Sequence, residues 1–386
     1  MQSNISKLIN SVHRQLGPDS LEMKELAARI CRDYLNGPWK QVSAQNIGFN
    51  HISGGLSNLL YHISLPETPQ QRQHPKKKSQ DPTSVLIRVY GPTHGDRGIE
   101  HMITESVIFT LLSERGLGPK LYGLFPGGRI EQYINARPLQ TRELSDPKLT
   151  HLIAKKMASI HSMEVPLQKE PGWLWETIDK WLKRTELILS SDKVPDLAKI
   201  LTQIDYKEEV GWLKKRIDME NCPVVFCHND MQEGNILIKQ DVNDNEGDVK
   251  LVLIDFEYCS YNYRSYDLAN HFIEYTYDYT EESPPLYKEN FENYPSVQQR
   301  LAFINSYLEE TRKNEDPQKI LKEVHTFTMA THFFWCLWSI VNTEMPVIPF
   351  GYWEYAVSRM NGYLRTKEEL KPSSVAVKRK SSELDL

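Results

Sequence analysis

The apolar positions along the chain change period about a third of the way through. Residues 47–52 (I-G-F-N-H-I) and 59–65 (L-L-Y-H-I-S-L) read as two strands around the turn S-G-G-L-S-N, where Gly54 and Gly55 supply a permissive backbone. Val85–Tyr90 (V-L-I-R-V-Y) reads as a buried strand, and residues 98–115 read as a helix carrying Glu105. The strand-rich stretch closes at Glu131-Gln132-Tyr133-Ile134. Beyond Asp146 the period is helical, predicting helices over 148–163, 171–190, 194–218, 296–312, 317–341 and 351–369. Residues 11–40 also read as an amphipathic helix. This pattern predicts an α+β fold with two lobes: a strand-rich N-terminal lobe over 1–131 and a larger helical C-terminal lobe over 132–370. The stretch 66–82 reads as a flexible loop, with Lys76 to Lys78 as solvated charge, and 371–386 reads as a flexible tail.

Composition narrows the class. The 386 residues, 40% apolar and 25% charged, suit one two-lobed enzyme. A net charge of -5 without a basic tract argues against nucleic acid as a partner. No uncharged apolar run approaches the roughly 18 residues of a membrane span, and Met1 to Gln15 lacks the apolar core of a signal peptide. An intracellular protein is expected. Cys31, Cys222, Cys227, Cys259 and Cys336 are scattered and form no C-x-x-C pair, which favours reduced thiols over zinc or disulfides.

The chemistry is concentrated in C-H-N-D-M-Q-E-G-N-I-L-I (227–238) and L-I-D-F-E-Y (253–258). His228, Asp230 and Asn235 have the spacing H-x-D-x-x-x-x-N, and Asp255 follows an apolar run that reads as a strand. In phosphoryl transfer that order presents a catalytic base, a metal-binding amide and a metal-binding carboxylate. Asp230 accepts or orients the hydroxyl proton, Asn235 and Asp255 hold the metal, and His228 holds the loop. Each residue alone has a plainer reading, as a helix cap or a turn former; the combination favours the phosphoryl-transfer set. In the first half, the Ser53–Asn58 turn can cover phosphates with its backbone N–H groups and the Ser57 hydroxyl. Arg88 falls where a kinase strand places its phosphate-binding cation, with Glu105 as its expected partner. The tripeptide after the strand is D-F-E, and no A-P-E segment or activation loop follows, so a polypeptide acceptor is disfavoured.

Eight of the 22 residues from Tyr258 to Tyr279 are aromatic, as are nine of the 29 from Phe327 to Tyr355, against 10% for the whole chain. Carboxylates are interleaved at Glu257, Asp267, Glu274 and Asp278. Trp335 and Trp338, three apart on a predicted helix, share one face. Most of these rings suit a core. Aromatic faces beside a carboxylate also suit a quaternary ammonium, which has no N–H to donate.

V-F-C-H-N-D-M-Q-E-G-N-I-L (225–237), I-D-F-E-Y-C-S-Y-N-Y-R-S-Y-D-L-A-N-H-F-I-E-Y (254–275), I-S-G-G-L-S-N (52–58) and L-G-P-K-L-Y-G (117–123) resemble the choline/ethanolamine kinase family over residues 20–365. The resemblance implies a protein-kinase-like fold in a cytosolic, commonly homodimeric enzyme. It also implies ATP- and Mg2+-dependent phosphorylation of choline to phosphocholine, the first step toward phosphatidylcholine. Carried onto matching positions, it implies Asp230 as catalytic base, with Asn235 and Asp255 at the metal. It places the nucleotide against Ser53, Gly54, Gly55, Leu56, Ser57, Asn58, Leu59, Arg88 and Gln232, and along Gln132, Tyr133, Ile134, Asn135, Ala136, Arg137 and Pro138. It places choline against Tyr258, Glu274, Tyr279, Trp335, Trp338, Phe350 and Tyr355. Ser53 departs from the Arg that many family members carry before the paired glycines. Choline is the favoured acceptor with ethanolamine as a slower substrate. An ethanolamine kinase, an antibiotic kinase and a non-catalytic choline-binding scaffold are the competing readings.

Overall fold

The computed structural model describes residues 20–52, 58–66, 81–90, 98–240, 249–344, 346 and 348–370. Ser53, Gly54, Gly55, Leu56 and Ser57 lie outside these residues, as do residues 67–80 of the expected loop, the tail from 371 and everything before 20. The chain divides into two compact units, Met1–Arg137 with Leu237–Glu257, and Pro138–Ile236 with Tyr258–Leu386.

In the first unit, helix α1 (Leu21–Tyr34) starts at Ser20, whose hydroxyl accepts the Met23 amide at 3.3 Å. Met23, Leu26, Ala27 and Ile30 recur every three or four residues and face the core. The single helix expected over 11–40 is not what forms. α1 stops at Tyr34 because Gly37 takes φ +60° and Pro38 follows, and a short 3₁₀ turn replaces the last part. Strands β1 (Gly48–Ile52), β2 (Asn58–Ser64) and β3 (Ser84–Tyr90) come next, followed by helix α2 (Gly98–Glu114), β4 (Leu121–Phe125) and β5 (Gly128–Gln132). The five strands form an antiparallel sheet in the order β1-β2-β3-β5-β4. The period-2 expectation for β3 holds: Val85, Ile87 and Val89 are buried on one face with Trp39, Ile63 and Ile130, while Arg88 is on the other. The short strand β6 (Ala136–Pro138) ends this stretch.

The second unit takes up helices α3 (Pro147–His161), α4 (Gly172–Leu189) and α5 (Tyr206–Asp218), then strand β7 (Val224–Cys227). The chain then returns to the first unit, where strands β8 (Ile236–Lys239) and β9 (Leu251–Leu253) form a small sheet in the order β6-β8-β9. After β10 (Ser260–Tyr263), antiparallel to β7, come helix α6 (Arg264–Glu274), the β11 (Tyr277–Asp278) and β12 (Lys288–Glu289) pair, and helices α7 (Val297–Thr311), α8 (Pro317–Asn342) and α9 (Tyr352–Glu369). The helix expected over 194–218 is split. Asp196–Gln203 is 3₁₀, the chain extends at Ile204, and α5 starts afresh where the Asp205 carboxylate accepts the Glu208 amide at 3.0 Å. α6 is absent from the expected helices although Arg264, Asp267, Asn270 and Glu274 recur every three or four residues: the whole helix is buried, so this polar stripe meets protein partners instead of solvent. Its Arg264 is sealed but bonded to Glu315 at 2.8 Å and Glu323 at 2.9 Å, which meets the requirement that a buried charge be paired. α8, buried along most of its length, is the core element against which α4, α6 and α9 pack.

Candidate active site

Asp230 lies in the turn between β7 and β8, and the turn is held by its backbone. Asn229 adopts φ +67°, and Asp267 on the first turn of α6 accepts two successive amides, from Asn229 at 2.8 Å and His228 at 2.9 Å. His161 Nε2 lies 3.0 Å from the same carboxylate. Burial alone would raise the Asp267 pKa, but the hydrogen bond and charge of His161 and the neighbouring His228 hold it below the ordinary value. The Asn229 side chain donates to Tyr258 O and Ser260 Oγ, each at 2.9 Å, and accepts from Asn262 at 2.8 Å. Met231 O takes a 2.8 Å bond from His271 Nδ1, and burial pushes that imidazole down to about 4, so it is neutral near pH 7. With both flanks fixed, Asp230 meets Asn235, whose Nδ2 donates to Asp230 Oδ2 and Asp230 O at 2.9 Å each. Gln232 Oε1 caps the Gly234 amide at 3.1 Å.

The acceptor residues named from sequence lie in the same unit and touch one another in a run. Tyr258 and Trp335 have ring centroids 5.7 Å apart, Trp335 and Trp338 5.5 Å, Trp338 and Tyr355 6.4 Å, Tyr355 and Tyr279 6.3 Å, and Tyr279 and Phe350 6.5 Å. The two tryptophans share one face of α8, as expected, and meet edge to face at 76°, which the ring quadrupoles favour. Trp335 Nε1 donates to Asn270 Oδ1 at 2.7 Å, and Asn270 reaches Asn229 O at 3.5 Å, so one asparagine joins the aromatic run to the turn that carries Asp230. Glu274 accepts the Tyr279 hydroxyl at 2.8 Å and is paired at 2.6 Å with Arg359, which no motif in the sequence marks. The Arg359 guanidinium stands 4.1 Å from the Tyr277 ring centroid and 4.7 Å from that of Tyr355. Glu233 was also missed. It is buried, accepts from Thr141 at 3.1 Å, and burial together with the nearby Glu274 charge pushes its pKa up to about 8.

The remaining residues, Pro138 apart, belong to the first unit. Asn58 and Leu59 open β2, opposite Tyr90 and Val89 of β3. Arg88 differs from expectation in its partner. Its register opposite Arg129 puts Glu131, two residues on, on the same face, and Glu131 takes the Arg88 fork at 3.1 Å and 3.2 Å. Glu105 instead receives Arg129 at 2.8 Å, and Arg129 also binds Glu131 at 2.8 Å. Gln132 exchanges bonds with Lys120, Tyr133 stacks on His62 at 3.6 Å, and half-buried Ile134 leads to exposed Asn135, whose carbonyl accepts the Gln240 amide. Ala136, Arg137 and Pro138 form β6. Asp255 follows β9 in a left-handed conformation, φ +63°. Its neighbour Phe256 is packed so closely on Gly118 that a Cβ there would come within 2.7 Å of the ring, which accounts for the glycine in L-G-P-K-L-Y-G.

Two residues, one in each unit, carry oxygens of the kind a hard cation takes. Asn235 commits its amide nitrogen to Asp230, leaving Oδ1 without a hydrogen bond, and Asp255 has no hydrogen bond or ion pair among the described residues. Oxygen ligands of this kind are what Mg2+ takes.

The chain is similar in sequence to known choline and ethanolamine kinases. The family model described as choline/ethanolamine kinase matches residues 49–364. A choline/ethanolamine kinase of Homo sapiens is 43% identical over 360 residues, covering 91% of this chain and 88% of its own length. A choline kinase alpha of Mus musculus is 41% identical over 88% of this chain and 80% of its own. The crystal structure of choline kinase from Cryptosporidium parvum superposes with a TM-score of 0.73 at 30% identity, covering 90% of this chain and 96% of that one. The α+β, protein-kinase-like fold class expected from sequence holds. The motifs, the fold and the extent of these matches together establish that this chain belongs to the choline/ethanolamine kinase family.

Proposed function

We propose that this chain transfers a phosphoryl group from ATP to the hydroxyl of choline, with ethanolamine as a slower substrate. The observation that carries the reading is the run of aromatic rings from Tyr258 to Phe350, with Glu274 bonded to one of its members, in the same unit as the Asp230–Asn235 pair. A quaternary ammonium is held by ring faces and needs no hydrogen-bond acceptor, whereas a primary ammonium gains less from the same rings.

Asp230 is the base that accepts or orients the choline hydroxyl, and its bond from Asn235 fixes the carboxylate for that purpose. Asn235 Oδ1 and Asp255 would hold Mg2+, whose charge offsets that of the phosphate oxygens. Arg88, with the Ser53–Leu59 turn, Gln232 and the Gln132–Pro138 segment, binds the nucleotide. The family resemblance further suggests a cytosolic homodimer, tested by cell fractionation and by sedimentation. Among the described residues no helix is long and apolar enough to cross a membrane.

The test follows phosphorus NMR of purified protein with ATP, Mg2+ and choline. Phosphocholine should accumulate, stop on chelation of the metal, and be nearly absent with Asp230→Ala. Wild-type turnover in Asp230→Ala would show that the base has been misassigned.

A further inference from the structure

The carboxylate expected to meet the substrate cation is already engaged. Arg359 Nη2 donates to Glu274 Oε1 at 2.6 Å and to the Tyr355 hydroxyl. The Tyr355 and Tyr279 hydroxyls are 2.8 Å apart, and the Tyr279 hydroxyl donates to Glu274 Oε2 at 2.8 Å. Counting protons gives one arrangement. Tyr279 spends its single O–H on Glu274, so the bond between the tyrosines uses the O–H of Tyr355, which in turn accepts from Arg359. The four groups close a ring: Arg359 to Tyr355, Tyr355 to Tyr279, Tyr279 to Glu274, and Arg359 back to Glu274. Arg359, Tyr355 and Glu274 are buried, and each bond in the ring strengthens its neighbours in such surroundings. The guanidinium Nε and Nη1 carry no hydrogen bond, and the faces of Tyr277 and Tyr355 receive that side of the cation instead.

We propose that Arg359 is the positioning residue that sets substrate specificity: by holding Glu274 inside this ring, it withholds from the acceptor the hydrogen-bond acceptors that a primary ammonium requires and a quaternary one does not. The inference rests on the choline reading above. A desolvated R–NH3+ has three donors to place, whereas a trimethylammonium has none. Both Glu274 oxygens already accept one bond, and so do the two hydroxyl oxygens, Tyr355 from Arg359 and Tyr279 from Tyr355. Arg359 also balances the Glu274 charge, so the aromatic faces contribute most of the attraction for the cation. They favour the methylated ion.

The test compares kcat/KM for choline and for ethanolamine in wild type, Arg359→Met, Arg359→Lys and Tyr279→Phe, with the KM for ATP as reference. Arg359→Met should cut the choline-to-ethanolamine ratio by about tenfold, the scale of one charged hydrogen bond gained by ethanolamine. The change should be in the KM for ethanolamine, with the KM for ATP unmoved. Arg359→Lys should restore part of the wild-type ratio. If Arg359→Met does not fold, Tyr279→Phe carries the test, because it opens the hydrogen-bonded ring and frees one Glu274 oxygen while keeping the aromatic face and the arginine, and it should shift the ratio in the same direction. An unchanged ratio in the folded variants, or equal losses on both substrates, overturns the role of Arg359 alone. A wild-type protein that prefers ethanolamine overturns the choline reading beneath it.

Discussion

Asp267 Oδ1 accepts the backbone amide of Asn229 at 2.8 Å, and Oδ2 takes that of His228, so one buried carboxylate holds the two residues before Asp230. The side chain of Asp230 is thereby aimed by a group that need not touch substrate. Asp267→Asn keeps the shape but offers one acceptor oxygen in place of two. It should lower kcat on the order of a hundredfold, the cost of misplacing a reacting group, with a smaller effect on the KM for choline. Steady-state kinetics on the purified variant checks this; an unchanged kcat would contradict it.

Trp335 is tied to the same turn through Asn270. Trp335→Phe keeps a ring but loses the indole N–H, leaving Asn270 Oδ1 without its donor. It should raise the KM for choline several-fold, while Trp335→Ala, which removes a whole face, should raise it further and affect ethanolamine less. Initial-rate titration of each substrate separates the two effects.

In the first unit, Arg129 stands between two carboxylates, with Arg88 on the outer side of Glu131. Burial would raise the Glu131 pKa, and the two arginines hold it below the ordinary value instead. Removing Arg129 strands buried charge, so Arg129→Met should destabilise the protein by about 3–5 kcal/mol. Arg88→Met leaves Arg129 in place on Glu131, so it should cost less stability and chiefly raise the KM for ATP. Chemical denaturation together with ATP titration distinguishes the two variants.

His271 sets a pH dependence. Its folded pKa of about 4 lies below the ordinary 6.5 because burial opposes the charged ring. Between these values the unfolded chain binds a proton that the folded chain does not, so stability is full above pH 6.5 and falls as the pH drops toward 4. Across that window the contribution is on the order of 3 kcal/mol. His271→Gln should flatten the drop in Tm between pH 7 and pH 5, read by calorimetry. An equally steep drop in the variant would assign the acid sensitivity to other groups.

What the sequence disclosed follows from where polarity varies. β3 and the outer helices carry a solvent face, so their periods were visible, as in Val85, Ile87 and Val89. α6 has the same period, but its polar stripe faces protein and the aromatic residues around it direct the reading to a pocket instead of a helix. The spacing of Asp230 and Asn235 was legible because both lie in one short turn. Arg359 was not, because its contact with Glu274 joins helices far apart in sequence and nothing local marks it. The Arg88 pairing failed for a similar reason. Motif order suggested Glu105, whereas strand register, which the sequence did not specify, delivered Glu131. α1 and α5 were overextended because apolar periodicity ran across Gly37 and Asp205, where local backbone and capping chemistry end or restart the helix.

The most direct measurement is the ratio of kcat/KM for choline to that for ethanolamine, with purified protein, ATP and Mg2+ under one set of conditions. The aromatic run and the engaged Glu274 predict a ratio well above one. A ratio below one would contradict the assignment of choline as the preferred acceptor.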